Sequence, residues 1–260
     1  MSGSLIIPGD SLPIDSRDSE IKTTIGPGIY KNPQTQSIIP TNAGVINVQQ
    51  NKAKTTQLVY VESNSKRYIP QTNDFVIGIV TGVVGEAYKV LLQDFSTAVL
   101  LSMMAFPNAT KKNRPNLKIG QAVYARVSQA IPEIETELEC IDPTTGKEGG
   151  FGLLDESGYI FTVNLNFARE LLFNPNSIFL EKLASRCKFE IAIGINGKVW
   201  IKCGEGIKLE KETSEEEGKT PRENTRDLKS TLAAARYLTK CQKISVESLD
   251  QVLDEAFKNV

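Results

Sequence analysis

The sequence predicts a mainly β protein with an α+β C-terminal part: a small N-terminal β module over residues 1–63, a five-stranded barrel over 64–145 and a mixed α/β domain over 146–260. Three observations carry this. Short β-prone runs broken by Gly, Pro, Ser and Asn fill the first quarter. Five evenly spaced strand-like runs follow. The apolar spacing then turns helical in two places, near residue 170 and after residue 227.

In the first module, Val45-Ile46-Asn47-Val48 and Gln57-Leu58-Val59-Tyr60-Val61 are strand-like, and Gly26-Pro27-Gly28 is a turn signal. So little apolar material describes a small β module or an arm packed on a partner. The barrel strands are expected at 75–80, 87–93, 98–103, 122–128 and 135–141, with turns at 82–85, 94–96 and 119–120. Alternation puts Val123, Ala125 and Val127 on one face and Tyr124, Arg126 and Ser128 on the other.

After the turn-rich Asp142-Pro143-Thr144-Thr145-Gly146, runs at 151–154 and 159–163 flank Asp155-Glu156-Ser157-Gly158 as an expected hairpin. Phe167, Leu171 and Leu172 lie at helical spacing, and a second helix is expected from an N-cap at Ser177 to Arg186. Strands at 188–193 and 198–203 meet at Asn196-Gly197, a dipeptide that favours a type I′ turn because both central residues need positive φ. Residues 205–226 are rich in Glu, Lys, Thr and Gly and read as a disordered or extended insert. Two helices close the chain, one striped by Leu228, Leu232, Ala235 and Leu238, the other by Val246, Leu249, Val252, Leu253, Ala256 and Phe257.

Composition excludes several kinds of chemistry. With no histidine, triad hydrolysis and His-ligated metal catalysis are effectively ruled out, whereas a magnesium nuclease built from carboxylates is still open. Glu133, Glu135, Glu137 and Glu139 alternate as if gathered for a metal, but such a run more often guards a solvent-facing sheet edge, so no metal or other cofactor is expected. Thr145-Gly146-Lys147 is not a phosphate loop, since Ile141 stands where the first glycine belongs and Glu148 follows the lysine. Cys140, Cys187, Cys203 and Cys241 form no CxxC pair and read as small buried hydrophobes in a reducing compartment. Leu5-Ile6-Ile7 is too short for a secretory core, and no segment reaches the length of a membrane span. A net charge of −1 means that any polyanion must be held by a local basic patch.

A five-stranded barrel followed by β-α-α-β-β-α is the order of an S1 (OB-fold) domain joined to a KH domain. Several motifs sharpen that likeness: Lys66-Arg67-Tyr68-Ile69-Pro70 leading into Asp74-Phe75-Val76-Ile77-Gly78, then Ala109-Thr110-Lys111-Lys112-Asn113-Arg114-Pro115, then Gly194-Ile195-Asn196-Gly197-Lys198-Val199-Trp200. With Pro8-Gly9-Asp10 and Gly26-Pro27-Gly28, they resemble the S1/KH cap subunits of the RNA exosome from about residue 4 to about residue 203, and more weakly to the end. The resemblance implies a subunit that is not itself an enzyme. Its N-terminal module would dock on the ring of RNase PH-like subunits beside other cap subunits. The barrel would face the channel mouth, and associated exosome ribonucleases would degrade and process RNA, ribosomal RNA included. It further implies residence in the nucleus, nucleolus and cytoplasm.

Lys111, Lys112 and Arg114 place three cations within four residues on a barrel loop, a usual place to grip single-stranded RNA through its phosphates. Tyr124 and Arg126 are secondary candidates for RNA contact, while Tyr88 alternates with Val90 and Leu92 and reads as core. A KH domain of the RNA-clamping kind carries GxxG between its first two helices, but Phe173-Asn174-Pro175-Asn176-Ser177 contains no glycine. Gly194, Asn196 and Gly197 fall between two strands and are expected to serve turn geometry, leaving this domain for packing or protein contacts. Two other readings stay open at this point, a free-standing translation-linked S1-type RNA-binding protein and a carboxylate-metal ribonuclease.

Overall fold

Alternating apolar and polar residues build the first of two units, Met1–Ser65 and Lys66–Val260, in the computed structural model, which describes residues 4–12, 21–50, 55–110, 112–131, 133–204 and 221–258. Strands β1 (Leu5–Ile6), β2 (Lys22–Ile25), β5 (Gly44–Gln50) and β6 (Thr56–Glu62) form a sheet in the order β1-β5-β6-β2, and β3 (Ile29–Lys31) pairs with β4 (Ile38–Pro40). Along β6, Gln57, Val59 and Val61 face inward. The core is small: Ile6, Ile46, Val59 and Val61, with Leu12, Ile29 and Val48 against them. Leu5, Ile7, Val45 and Leu58 stay exposed.

The second unit opens with β7 (Phe75–Val84), β8 (Ala87–Leu91), β9 (Val99–Ser102), β10 (Ala122–Gln129) and β11 (Glu137–Glu139). Strand β11 lies parallel to β9 and antiparallel to β10, which closes the five strands into a barrel. Val123, Ala125 and Val127 point into its core with Val76, Val80 and Leu101, the face that alternation assigns to them. The turn expected at 82–85 is shorter than the sequence predicts. Strand β7 runs on to Val84 through a register shift between Val80 and Gly82, a glycine bulge that bends the strand without ending it.

The expected hairpin of 151–154 with 159–163 does not form. Strand β12 (Gly152–Leu153) instead pairs with Tyr124 and Val123 of β10, continuing the edge on which β11 covers residues from Arg126 onward. An open edge in the barrel outcompetes the local partner, and Phe151 stacks on Tyr124 at 5.3 Å between ring centroids.

Strand β13 (Tyr159–Thr162) opens the remaining part, followed by α1 (Leu165–Phe173), α2 (Ile178–Arg186), β14 (Phe189–Ile193), β15 (Lys198–Cys203) and α3 (Pro221–Cys241). The sheet is antiparallel in the order β13-β15-β14. Ser177 precedes α2 as the pattern predicts, but its hydroxyl makes no capping bond and is buried without a partner. Helix α3 begins at Pro221, so the last residues of the expected insert are helical, while the rest of that insert, 205–220, lies outside the described residues.

The buried stripe of α3 keeps Ala235 and Leu238 of the expected stripe but not its first two leucines. Thr231, Ala234, Ala235, Leu238 and Cys241 face the sheet, whereas Leu228 and Leu232 are exposed. Small alanines let the helix come close to β15, and Thr231 Oγ1 fixes it there, accepting from Cys203 N at 3.0 Å and donating to Asp227 O at 2.8 Å. A 3-10 turn over Val246–Ser248 leads into α4 (Leu249–Phe257), which buries Leu249, Val252, Leu253 and Phe257 as its pattern predicts, with Val246 left exposed.

Candidate nucleic-acid interface

The basic run lies in the loop between β9 and β10. Tyr88, 3% exposed, holds this loop from inside the barrel: its hydroxyl donates to Pro115 O and accepts from Leu117 N at 3.2 Å. Backbone bonds from Thr110 N to Asn113 O and from Asn113 N to Thr110 O, each 3.0 Å, tie off a tight turn on the surface. Lys112 is exposed on that turn; Lys111 lies outside the described residues. Arg114 Nη2 meets Glu86 Oε1 at 2.9 Å, a pair with side chains 34% and 67% exposed. Such a surface pair contributes only ~0–1 kcal/mol, so a phosphate can compete for the guanidinium.

Arg126 lies on β10. Its guanidinium is ion-paired with Glu139 and bonded to Asn73 Oδ1, and its side chain is only 13% exposed, so it fastens β10 to β11. Tyr124 lies on the same strand. Its hydroxyl donates to Ile193 O at 3.3 Å, its ring lies against Phe151 and Phe75, and burial pushes its pKa up to about 12. Both residues sit outside the core register because another part of the chain covers that face.

Over Tyr124 that part is β14 and β15, whose Ala192 and Trp200 pack with it and Ile77, and the turn between these strands, Gly194-Ile195-Asn196-Gly197, docks on the barrel as well. Ile195 enters the barrel's own core cluster and its N–H donates to Phe75 O at 2.8 Å. The β7–β8 ladder begins at Ile79 opposite Leu91, which leaves Ile77 without a neighbour on that side. Asn196 fills the gap with its carboxamide, which acts as a piece of strand: Oδ1 accepts from Ile77 N at 3.2 Å, and Nδ2 donates to Ile77 O at 2.8 Å and Leu92 O at 2.7 Å. Asn196 is 2% exposed, so each of these bonds is made away from water.

The glycines fit this docking sterically. A Cβ on Gly194 would lie 2.2 Å from Asn196 Oδ1 and 2.7 Å from Ile77 N. Gly197 has φ +81, and a Cβ there would lie 2.6 Å from Val163 O. The turn is not the type I′ expected, because Asn196 is outside the left-handed region and only Gly197 has positive φ. The link is a Gly194–Gly197 turn, with Gly197 N donating to Gly194 O at 2.9 Å. Lys198, 4% exposed, follows at once; burial lowers its pKa, with Asp94 opposing, and its ammonium lies 3.5 Å from Leu91 O.

Sequence reasoning missed that Asn196 and Lys198 are buried against the barrel. A lysine opening the apolar run Lys198-Val199-Trp200-Ile201 was the one available signal. Between α1 and α2, residues 174–177 form a short link with no glycine. Among the described residues, no group of three or more His, Cys, Asp or Glu gathers to hold a metal, and Glu139 of the acidic run is paired with Arg126.

Three family models match the chain in order. They are the exosome complex exonuclease Rrp40 N-terminal domain over residues 23–67, the exosome complex component RRP40 S1 domain over 68–152, and a KH domain over 158–207. The chain is 46% identical over 256 residues to exosome complex component RRP40 of Saccharomyces cerevisiae, covering 98% of this chain and 96% of that one. It is 40% identical over 205 residues to the Schizosaccharomyces pombe protein of the same name, covering 76% and 80%. The human exosome complex component RRP40 matches at 33% over 185 residues, covering 71% and 66%. A solved structure titled as a putative exosome complex RNA-binding protein superposes with a TM-score of 0.50 at 18% identity, over 74% of this chain and 96% of that one, a likeness of fold. A nearly full-length relative and three family domains in the same order show that this chain belongs to the Rrp40 family of exosome complex components.

Proposed function

We propose that the chain is a non-catalytic RNA-binding cap and scaffold subunit of the exosome. It guides single-stranded RNA toward associated ribonucleases for 3′-5′ degradation and processing, ribosomal RNA included. The observation that carries this reading is the likeness, over nearly the whole chain, to the exosome component of yeast. The barrel adds support by holding Lys112 and Arg114 on a turn pinned through Tyr88, where cations meet phosphates without reading bases. The first unit, with a four-residue buried core and exposed Leu5, Ile7, Val45 and Leu58, suits a module completed by RNase PH-like ring neighbours. Other cap subunits complete the surroundings, in the nucleus, nucleolus and cytoplasm.

A passive role fits the chemistry of the side chains. No histidine is available as a general acid or base, and the carboxamide of Asn196 and the hydroxyl of Tyr124 bond to backbone within the chain. Affinity purification of the tagged chain with mass spectrometry tests the assembly, and ring subunits are expected in equal amounts. Recovery of a monomer that binds RNA alone would favour a free-standing translation-linked protein. EDTA-sensitive RNA degradation by the purified chain with Mg²⁺ would make it a nuclease instead.

A further inference from the structure

Four cysteines are free, and two of them are chemical neighbours. Cys187 closes α2 and Cys203 ends β15, and their sulfurs lie 3.8 Å apart. The fold produces this closeness. Phe189 pairs with Cys203 across the β14–β15 ladder, and Cys187 stands two residues before Phe189, so the two side chains meet diagonally at the open end of the hairpin.

The other two thiols are held differently. Cys140 is 0% exposed, its sulfur lies 3.7 Å from Tyr124 O, and burial pushes its pKa up to about 12. Cys241 is buried between helices, with its pKa pushed up to about 11. Cys187, by contrast, is only half-buried and gives access to the pair, while Cys203 beside it is 4% exposed. Within the pair, a hydrogen bond between the sulfurs favours the thiolate of Cys203 and holds the second proton more tightly on Cys187. The pair therefore gives up its first proton more readily than either buried thiol elsewhere.

We infer that Cys187 and Cys203 form an oxidation site that closes to a disulfide on reaction with hydrogen peroxide. The thiolate sulfur attacks the peroxide oxygen, the O–O bond breaks, and the sulfur becomes a sulfenic acid as hydroxide leaves and takes up a proton to give water. The second thiol then attacks that sulfur, the S–S bond forms, the S–O bond breaks, and the thiol proton leaves with the hydroxyl as a second water. Two thiols are oxidised by two electrons and the peroxide is reduced by two. The sulfurs must close from 3.8 Å to a bond of about 2 Å. A dithiol reductant reverses the step by exchange.

The intact chain, treated with hydrogen peroxide, alkylated with iodoacetamide and digested without reduction, tests the site. Mass spectrometry should find a peptide linked through Cys187 and Cys203, two of the four cysteines should lose their reactivity toward alkylation after unfolding, and dithiothreitol should restore both. Cys187→Ser should remove the linked peptide. Single cysteines oxidised to sulfinic acid without a link, a link through Cys140 or Cys241, or four alkylatable thiols after treatment would each overturn the inference. The peptide map of the unmodified sequence decides the matter even if the variant folds poorly.

Discussion

Two turns on the same barrel carry motifs that look like nucleic-acid contacts, and their surroundings separate them. The turn around Lys112 keeps its charges at the surface, where Arg114 pairs with Glu86. The Gly194–Gly197 turn buries Asn196 and spends its carboxamide on Ile77 and Leu92. A glycine-rich motif in a KH domain suggests a backbone clamp, but here it is a plug for an unfinished strand edge. A polar side chain with three buried backbone partners has nothing left to offer a ligand.

Changes at the two turns should therefore fail in opposite ways. Asn196→Ala should have the largest effect, since it strands buried backbone groups of Ile77 and Leu92 at ~1–3 kcal/mol for each group left unpaired. Thermal unfolding should show a loss of several kcal/mol, and an unchanged midpoint would refute the plug. Gly197→Val should follow, because a β-branched residue at φ +81 is disfavoured and its Cβ would press on Val163 O. Loss of RNA affinity at unchanged melting temperature would turn that loop into a ligand site.

A smaller effect is expected from Lys198. Its pKa is lowered by burial, so the unfolded chain binds more protons than the folded one between the lowered value and about 10.5. Stability should rise with pH through that window and fall as pH drops through it, down to the folded pKa. Lys198→Met should lack this contribution, and its stability relative to the unmodified chain should be greatest below the window. Parallel pH profiles for the two proteins would refute a desolvated ammonium.

The least effect on stability belongs to the exposed turn. Replacing Lys112 and Arg114 by Ala should leave the melting temperature nearly unchanged. In the assembled complex it should lower the slope of log affinity against log salt by about 1.4, at roughly 0.7 per phosphate contact. The loss should be equal for unrelated RNA sequences. An unchanged slope would remove this turn from the RNA path and leave a scaffold.

The barrel was legible in the sequence because its strands alternate: Val123, Ala125 and Val127 separate cleanly from Tyr124 and Arg126, and period 2 allows few other registers. What covers Tyr124 was not legible, since Ile193 and Trp200 come from strands about seventy residues away. The edge strand at Gly152–Leu153 was misassigned for the same reason, as pattern reports strand character but not which edge is open. In α3 the expected stripe held at Ala235 and Leu238 but not at Leu228 and Leu232, since several phases fit the apolar residues and the small Thr231 and Ala234 are buried instead. The closeness of Cys187 and Cys203 follows from the β14–β15 register, which spacing alone does not disclose.

The placement of Ile195 and Asn196 inside the barrel also has a consequence for the order of synthesis. Strand β12 completes the barrel's own pairing at Leu153, but its plug leaves the ribosome roughly forty residues later, a delay of a few seconds at ~5–20 residues per second. During that interval the nascent barrel has a hole in its apolar interior and bare backbone groups at Ile77. It is open to chaperones or to mispairing until the downstream hairpin arrives. A barrel cut free before residue 194 should therefore be less stable than the full chain, and insertions or rare codons between residues 154 and 194 should lower the yield of folded protein even where the finished structure has room for them.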